Sequence, residues 1–263
     1  MINVKNLSFK YKKDSPLILN DLSFSIGSSS VLAILGRNGI GKTTFIRCLT
    51  AELHNYIGSI TVDNKEVREL SVNELSSLIA VVASNNPCYQ NLRVADFLAT
   101  GFANRLTSLQ SPNKSQYEKA YSILEDLGHG NLFNRDVFEL SSGEMQIVKI
   151  ARAIIQNPKI IVFDEPTSNL DIKNQLIVLN QITRLAERGY CVITTTHNPG
   201  QAMELNDRVL MMSDSGQLFG KATDIITEYN LKMTYDLDVT IEQGRYRKYA
   251  SFGDEEKMHR LVY

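Results

Sequence analysis

The eight residues Gly36-Arg37-Asn38-Gly39-Ile40-Gly41-Lys42-Thr43 constrain this chain more than any other stretch, because they join an apolar run, Val31-Leu32-Ala33-Ile34-Leu35, to a segment with helical spacing that opens at Lys42. A glycine-containing loop of this kind turns backbone N–H groups inward, and the helix that follows adds the partial positive charge of its N-terminus. A lysine in the position of Lys42 reaches the β- and γ-phosphates of a nucleotide, and the hydroxyl of the next residue, Thr43, ligates Mg²⁺. A tight strand-to-helix connection would account for the glycines, but not for a lysine and a threonine in register with them. The pattern predicts a nucleoside-triphosphate site.

With 263 residues and 43% hydrophobic content the chain can bury a full core, as one large domain or two small ones. A net charge of −1 offers no whole-chain attraction to nucleic acid or to an anionic bilayer, so nucleic acid is not an expected partner. The three cysteines, Cys48, Cys88 and Cys191, are odd in number and far apart. Neither a disulfide framework nor a zinc site is indicated, and a reducing compartment fits them best. No apolar run approaches the roughly 18 residues that span a bilayer. The opening Met1-Ile2-Asn3-Val4-Lys5-Asn6 lacks the basic and apolar regions of a signal peptide. If a membrane is involved, another chain is expected to span it.

Apolar runs predict strands over Ile2 to Phe9, Leu17 to Ile26, Val31 to Leu35 and Ile57 to Val62, with a helix from Lys42 to Glu52. The middle changes character. Helical spacing covers Ala95 to Arg105 and Ser115 to Leu127, the second opened by a Ser115-Gln116-Tyr117-Glu118 capping box. Then a helix from about Ser142 to Gln156, a strand Ile160 to Asp164, a helix from about Ile172 to Arg188 and a strand Tyr190 to Thr195 alternate, which predicts parallel strands joined by helices. From about Thr223 the segments are short and mixed, and the pattern assigns them no element.

In Ile160-Ile161-Val162-Phe163-Asp164-Glu165-Pro166 four apolar residues feed two adjacent carboxylates at a strand's C-terminal end, where ligands of open α/β sheets bind. Asp164 is placed to hold the Mg²⁺ shell and Glu165 to orient or deprotonate the attacking water. Taken alone the run reads more readily as a buried strand with a solvated acidic turn; the phosphate loop favours the catalytic reading. His197 follows the strand residues Thr194-Thr195-Thr196 and could hydrogen-bond a γ-phosphate and link it to Glu165. In Leu140-Ser141-Ser142-Gly143-Glu144-Met145-Gln146, Ser141 reads as a helix N-cap.

Together with Ser168-Asn169-Leu170-Asp171, these segments stand in the order found in the ATP-binding cassette ATPases, and the chain resembles that family over nearly its whole length. The resemblance implies an α/β fold: a P-loop (RecA-like) core with an N-terminal antiparallel β-subdomain and an inserted helical subdomain. The nucleotide-binding domain would cover residues 1–223, with the helical part at about 93–140, and a C-terminal extension would cover 224–263. It implies ATP and Mg²⁺ as ligands. Tyr11 would stack on adenine, with Gly36, Asn38, Gly39, Gly41, Lys42 and Thr43 in the Walker A loop and Thr44 as a further phosphate donor. Ser141, Ser142, Gly143 and Glu144 would form the signature, Asp171 the dimer-contact loop and His197 the switch. Thr43, Asp164 and Ser84 would surround the metal, and Glu165 and His197 would carry catalysis.

Three positions depart from the family pattern. Ser142 stands for a glycine and Glu144 for a glutamine; Ser84 occupies the register of a metal-contacting glutamine, with Gln90 nearby but out of register.

The family also implies a head-to-tail dimer with a second ATPase subunit, docking on separate transmembrane permease subunits at the cytoplasmic side of the membrane, peripherally. Leu92 to Phe102 and the tail Ile225 to Val239 are similar to the metal-chelate importers, which take up ferric siderophores, haem or cobalamin with an external substrate-binding protein. The alternatives are an exporter or resistance ATPase and a soluble cassette protein that does not transport.

Overall fold

The computed structural model describes residues 1–83, 92–106, 110–243 and 248–252. The chain divides into two compact units, one made of Met1–Arg68 with Leu185–Tyr263 and the other of Glu69–Arg184. The first segment contains β1 (Ile2–Phe9), β2 (Leu19–Ile26), β3 (Ser30–Leu35), α1 (Lys42–Leu49), β4 (Ile57–Val62) and β5 (Lys65–Glu66). The second unit follows with α2 (Val72–Leu78), β6 (Ile79–Ala83), α3 (Val94–Ala99), α4 (Lys114–Asp126), α5 (Ser142–Gln156), β7 (Ile160–Asp164) and most of α6 (Ile172–Glu187). The chain then returns to the first unit with β8 (Cys191–Thr196), α7 (Pro199–Leu205), β9 (Arg208–Ser213), β10 (Gly216–Lys221), α8 (Ala222–Ile225), α9 (Glu228–Tyr235), β11 (Val239–Gln243) and β12 (Lys248–Phe252).

In the first unit β2, β1, β4 and β5 form an antiparallel sheet in that order. Alternation creates its core face: Leu22, Phe24 and Ile26 of β2 are buried, while the residues between them are exposed. The strand β3 behaves differently. It runs parallel to β8 on one side and β9 on the other, and from Val31 to Leu35 every residue is buried. A parallel strand with neighbours on both edges and cover on both faces needs a continuous apolar run, which is what Val31 to Leu35 provides. In the second unit β6 pairs parallel with β7, Ala83 opposite Asp164, and the helices α3 and α4 pack on α5. The expected α/β fold, with parallel strands, an antiparallel β-subdomain and helices, is the one observed.

Several boundaries differ from expectation for local reasons. The helix α1 stops at Leu49 because Ala51 turns left-handed, at φ 53°, and the Glu52 amide closes the end by donating to the Arg47 carbonyl at 2.9 Å. The segment expected to be helical from Ala95 to Arg105 is α-helical only to Ala99 and continues as a 3₁₀ helix over Thr100–Arg105. There the Thr100 hydroxyl donates to the Phe97 carbonyl. The helix α4 is capped by Asn113 rather than Ser115: Asn113 accepts from the Gln116 amide and the Gln116 side chain accepts from the Asn113 amide. Both residues satisfy the capping pattern, and the earlier one lengthens the helix and brings Lys114 and Glu118 into an i,i+4 pair.

Candidate functional site

The phosphate loop belongs to the first unit. Leu35 lies opposite Thr196 of β8 and Met211 of β9, so Gly36 and His197 emerge from neighbouring parallel strands at the same edge. The Gly36 amide donates to the Thr196 carbonyl at 3.4 Å. A β-carbon at Gly36 would lie 2.5 Å from the Met212 carbonyl oxygen, inside any permitted contact. At the other end of the loop Gly41 has φ 116° and is the N-cap of α1. Only glycine holds that angle without strain, and a glycine N-cap supplies no side chain to accept from the first-turn amides. The α1 first turn contains no acidic residue, so no carboxylate within it answers the partial positive charge of the helix N-terminus. The cradle is therefore shaped and polarised for an anion.

Lys42 is 5% exposed, and its Nζ donates to the carbonyls of Gly36 at 2.8 Å and Arg37 at 3.2 Å, curling the side chain back over its own loop. Arg37 forms an ion pair with Asp214 in the β9–β10 turn, tying the outer side of the loop to the sheet. Thr43 is exposed and Thr44 buried. The Tyr11 hydroxyl lies 3.1 Å from Thr44 Oγ1, and its half-exposed ring meets Phe9 edge-on at 5.0 Å. Tyr11 thus touches the helix that carries the lysine, a contact across 33 residues that no sequence pattern marks.

The acidic pair and the segment expected to form the signature belong to the second unit. Asp164 ends β7 half-buried, and Glu165 adopts φ 47°. The left-handed region is uncommon for a residue with a long side chain and is held here by a turn: the Ser168 amide and hydroxyl both donate to the Glu165 carbonyl, at 3.1 and 2.8 Å. The chain then runs to Asp171, whose carboxylate caps α6 by accepting from the Asn174 amide at 2.7 Å and side chain at 3.1 Å. Asn174 in turn fills the space over Gly143, where a β-carbon would approach its side chain to 2.6 Å. The segment expected to form the signature and the Asp171 loop are thus packed together within this unit, and Asn174, which no sequence pattern marks, joins them.

Ser141 is the N-cap of α5, as expected, with Ser142 exposed as the first helical residue. Glu144 completes a capping box: its amide donates to Ser141 Oγ at 3.3 Å and its carboxylate accepts from the Ser141 amide at 2.8 Å. Arg135 donates to the same carboxylate at 3.1 Å. The Ser141 amide and hydroxyl, with Arg135 adding its charge, hold the Glu144 carboxyl below the usual range. Lys149 on α5 is buried and donates to the Ala83 carbonyl at 3.1 Å, and burial lowers its pKa. Ser84, expected at the metal, lies outside the described residues, as do Cys88 and Gln90.

Residues 19–168 match the ABC transporter family. The chain belongs to that family. A probable iron chelatin transport ATP-binding protein of Helicobacter pylori is 34% identical to this ABC chain over 239 residues, covering 90% of it and 93% of the relative. The molybdate import ATP-binding protein MolC of Haemophilus influenzae is 29% identical over 248 residues, 94% of this chain and 92% of that one. A chain from the inward-facing structure of an ABC transporter assigned to the metal-chelate type superimposes with a TM-score of 0.83 at 30% identity, covering 96% of each chain. As an ATPase of this family the chain binds and hydrolyses ATP. Among the described residues no helix is long and apolar enough to cross a membrane.

The residues present also suit a magnesium nucleotide. Among the described residues no three His, Cys, Asp or Glu side chains converge as a metal cage. Mg²⁺ in phosphoryl transfer takes one or two protein oxygens plus phosphate and water, so a hydroxyl and one carboxylate suffice.

Proposed function

We propose that this ATPase powers an importer of a metal chelate, an iron–siderophore, haem or cobalamin, through a separate membrane permease. The supporting observation is the similarity to an iron chelatin transport relative over 90% of the chain and to the metal-chelate-type structure over 96% of it. Import of a molybdenum oxyanion is the second reading, favoured by the similarity to MolC over 94% of the chain.

In this reading the backbone of Gly36, Asn38, Gly39 and Gly41 cradles the phosphates, and Lys42 releases its two carbonyl partners to meet the β- and γ-oxygens. Thr44 adds a further donor, and Tyr11 stacks on the adenine. Thr43, Asp164 and Ser84 would hold Mg²⁺, which when bound would supply positive charge against the phosphate oxygens. Glu165 orients or deprotonates the attacking water, while His197 contacts the γ-phosphate. Ser141, Ser142, Gly143 and Glu144 close on the nucleotide held by a second copy, so that a two-fold dimer contains two composite sites. Tight binding of ATP in the closed dimer and its loss on hydrolysis then give the two states that a permease converts into motion. Residues 1–223 act as the nucleotide-binding domain and 224–263 as its extension. The complex sits at the cytoplasmic face of the membrane, with an external binding protein delivering the cargo.

Uptake of labelled ferric siderophores, haem, cobalamin and molybdate, compared between cells carrying the natural chain and Glu165→Gln, tests the reading. Selective loss of one chelate supports it, selective loss of molybdate establishes the second reading, and undiminished uptake of all four rejects import of these cargoes.

A further inference from the structure

His197 sits on a backbone pinned from three directions. On its N-terminal side the Thr196 hydroxyl donates to Gln201 Oε1 at 2.8 Å and accepts from the Asn198 amide at 3.0 Å. On its C-terminal side Asn198 caps α7, accepting from the Gly200 amide at 2.8 Å. These bonds are local to the loop. The third is not: the His197 carbonyl accepts from the Tyr235 hydroxyl at 2.9 Å, across 38 residues.

Tyr235 is the last residue of α9, and that helix is firmly seated. Thr227 caps it through the Asn230 amide, Leu231 is fully buried and Thr234 is 3% exposed. The Asn230 side chain donates to the Ile225 carbonyl at 2.9 Å, and the β11–β12 hairpin is tied back to α9 by the Ile241 amide, which donates to Glu228 at 2.7 Å. The strand β12 in turn packs on α7, the helix that begins two residues after His197. One element of the C-terminal segment therefore meets the His197 loop through a directed hydrogen bond to His197 itself, and another packs on the helix that follows the loop.

We propose that Tyr235 is a positioning residue for His197: by donating to the His197 carbonyl it fixes the backbone from which the imidazole projects, and it makes the C-terminal segment part of the hydrolytic machinery. The inference rests on His197 acting in hydrolysis. Burial also raises the Tyr235 phenol pKa, so the group stays a protonated donor across the physiological range. A carbonyl cannot donate, so the polarity of the bond is fixed: position 235 must supply the donor, and phenylalanine there has none.

The test is single-turnover ATP hydrolysis by the 263-residue chain as Tyr235→Phe, as His197→Ala and as the double variant, with nucleotide affinity and thermal midpoint measured alongside. Removing one hydrogen bond of ordinary net strength corresponds to about a five-fold effect. Tyr235→Phe should slow hydrolysis about that much, leave ATP affinity unchanged and have no further effect once His197 is alanine. An equal loss in both backgrounds overturns the inference while leaving the role of His197 intact, as does an unimpaired Tyr235→Phe. Normal hydrolysis by His197→Ala removes the His197 assignment and the inference with it. A lower thermal midpoint shared equally by Tyr235→Phe in both backgrounds, with hydrolysis unaltered, would mark the bond as an anchor for the tail and reject the proposal.

Discussion

Replacing Gly41 by alanine separates two penalties that the phosphate loop imposes. The first is backbone conformation: Gly41 holds φ 116°, where a β-carbon costs about 1–3 kcal/mol. The second is space, since that β-carbon would stand 2.9 Å from Ile18 Cγ2 and 3.2 Å from the Ile18 carbonyl oxygen. Overpacking of this kind adds about 1–3 kcal/mol. The total of about 2–6 kcal/mol is a large part of the ~5–15 kcal/mol that holds a typical protein folded. Gly39 supplies the control, because it too has a positive φ, 84°, but its β-carbon would meet nothing within 4 Å. Gly39→Ala therefore carries conformational strain alone, about 1–2 kcal/mol. Urea denaturation without nucleotide should place Gly41→Ala below Gly39→Ala by the overpacking cost, and Ile18→Ala should recover part of the difference in a double-mutant cycle. Relaxing the clash would also shift the Lys42 amide, so Gly41→Ala should bind ATP more weakly than Gly39→Ala. Equal midpoints for the two alanine variants would refute the spatial argument, and Gly41→Ala within 0.5 kcal/mol of the natural chain, about the scatter of a neutral surface change, would refute both terms.

Lys42→Ala should weaken ATP binding measured by fluorescence titration, and natural affinity would remove the lysine from the phosphate site. Glu165→Gln should retain ATP while turnover falls by a factor of about 10² or more, the usual loss for a water-activating group; near-normal hydrolysis would reject that role. The Glu144 carboxyl is held below its ordinary value of 4.5, so the folded state binds its proton more weakly than the unfolded state. Its contribution to stability is then complete above pH 4.5 and declines as the pH falls from there through the lowered folded pKa. The stability gap between the natural chain and Glu144→Gln should shrink across that interval, and a gap constant down to pH 3 would contradict the assignment. Burial pushes the Cys48 and Cys191 thiols up to about 12, so both should resist iodoacetamide at pH 8 in the native chain and react after denaturation, as read by mass spectrometry.

What the sequence determined by itself is what depends on neighbours along the chain. The strand–loop–helix around Lys42 was legible because glycine spacing, the apolar run and the helix start all lie within fifteen or so residues and obey local sterics. The Ser141 cap of α5 was legible for the same reason, and the family order of the motifs carried the ATPase assignment. Even local chemistry can offer two answers, as Asn113 and Ser115 both fit a capping box and the structure takes the first. Tertiary structure decided the contacts made by groups remote in sequence. Asn174 covers Gly143, Tyr11 reaches Thr44 and Tyr235 reaches the His197 carbonyl. The tail resisted sequence reading because α9 is eight residues long and buries only Leu231 and Thr234, too few to set a helical period. Its fold comes from being anchored, through Tyr235 on the His197 carbonyl and Glu228 on the Ile241 amide. A short segment gains stability from such partners rather than from its own pattern, because a helix of two turns cannot offset its nucleation cost alone.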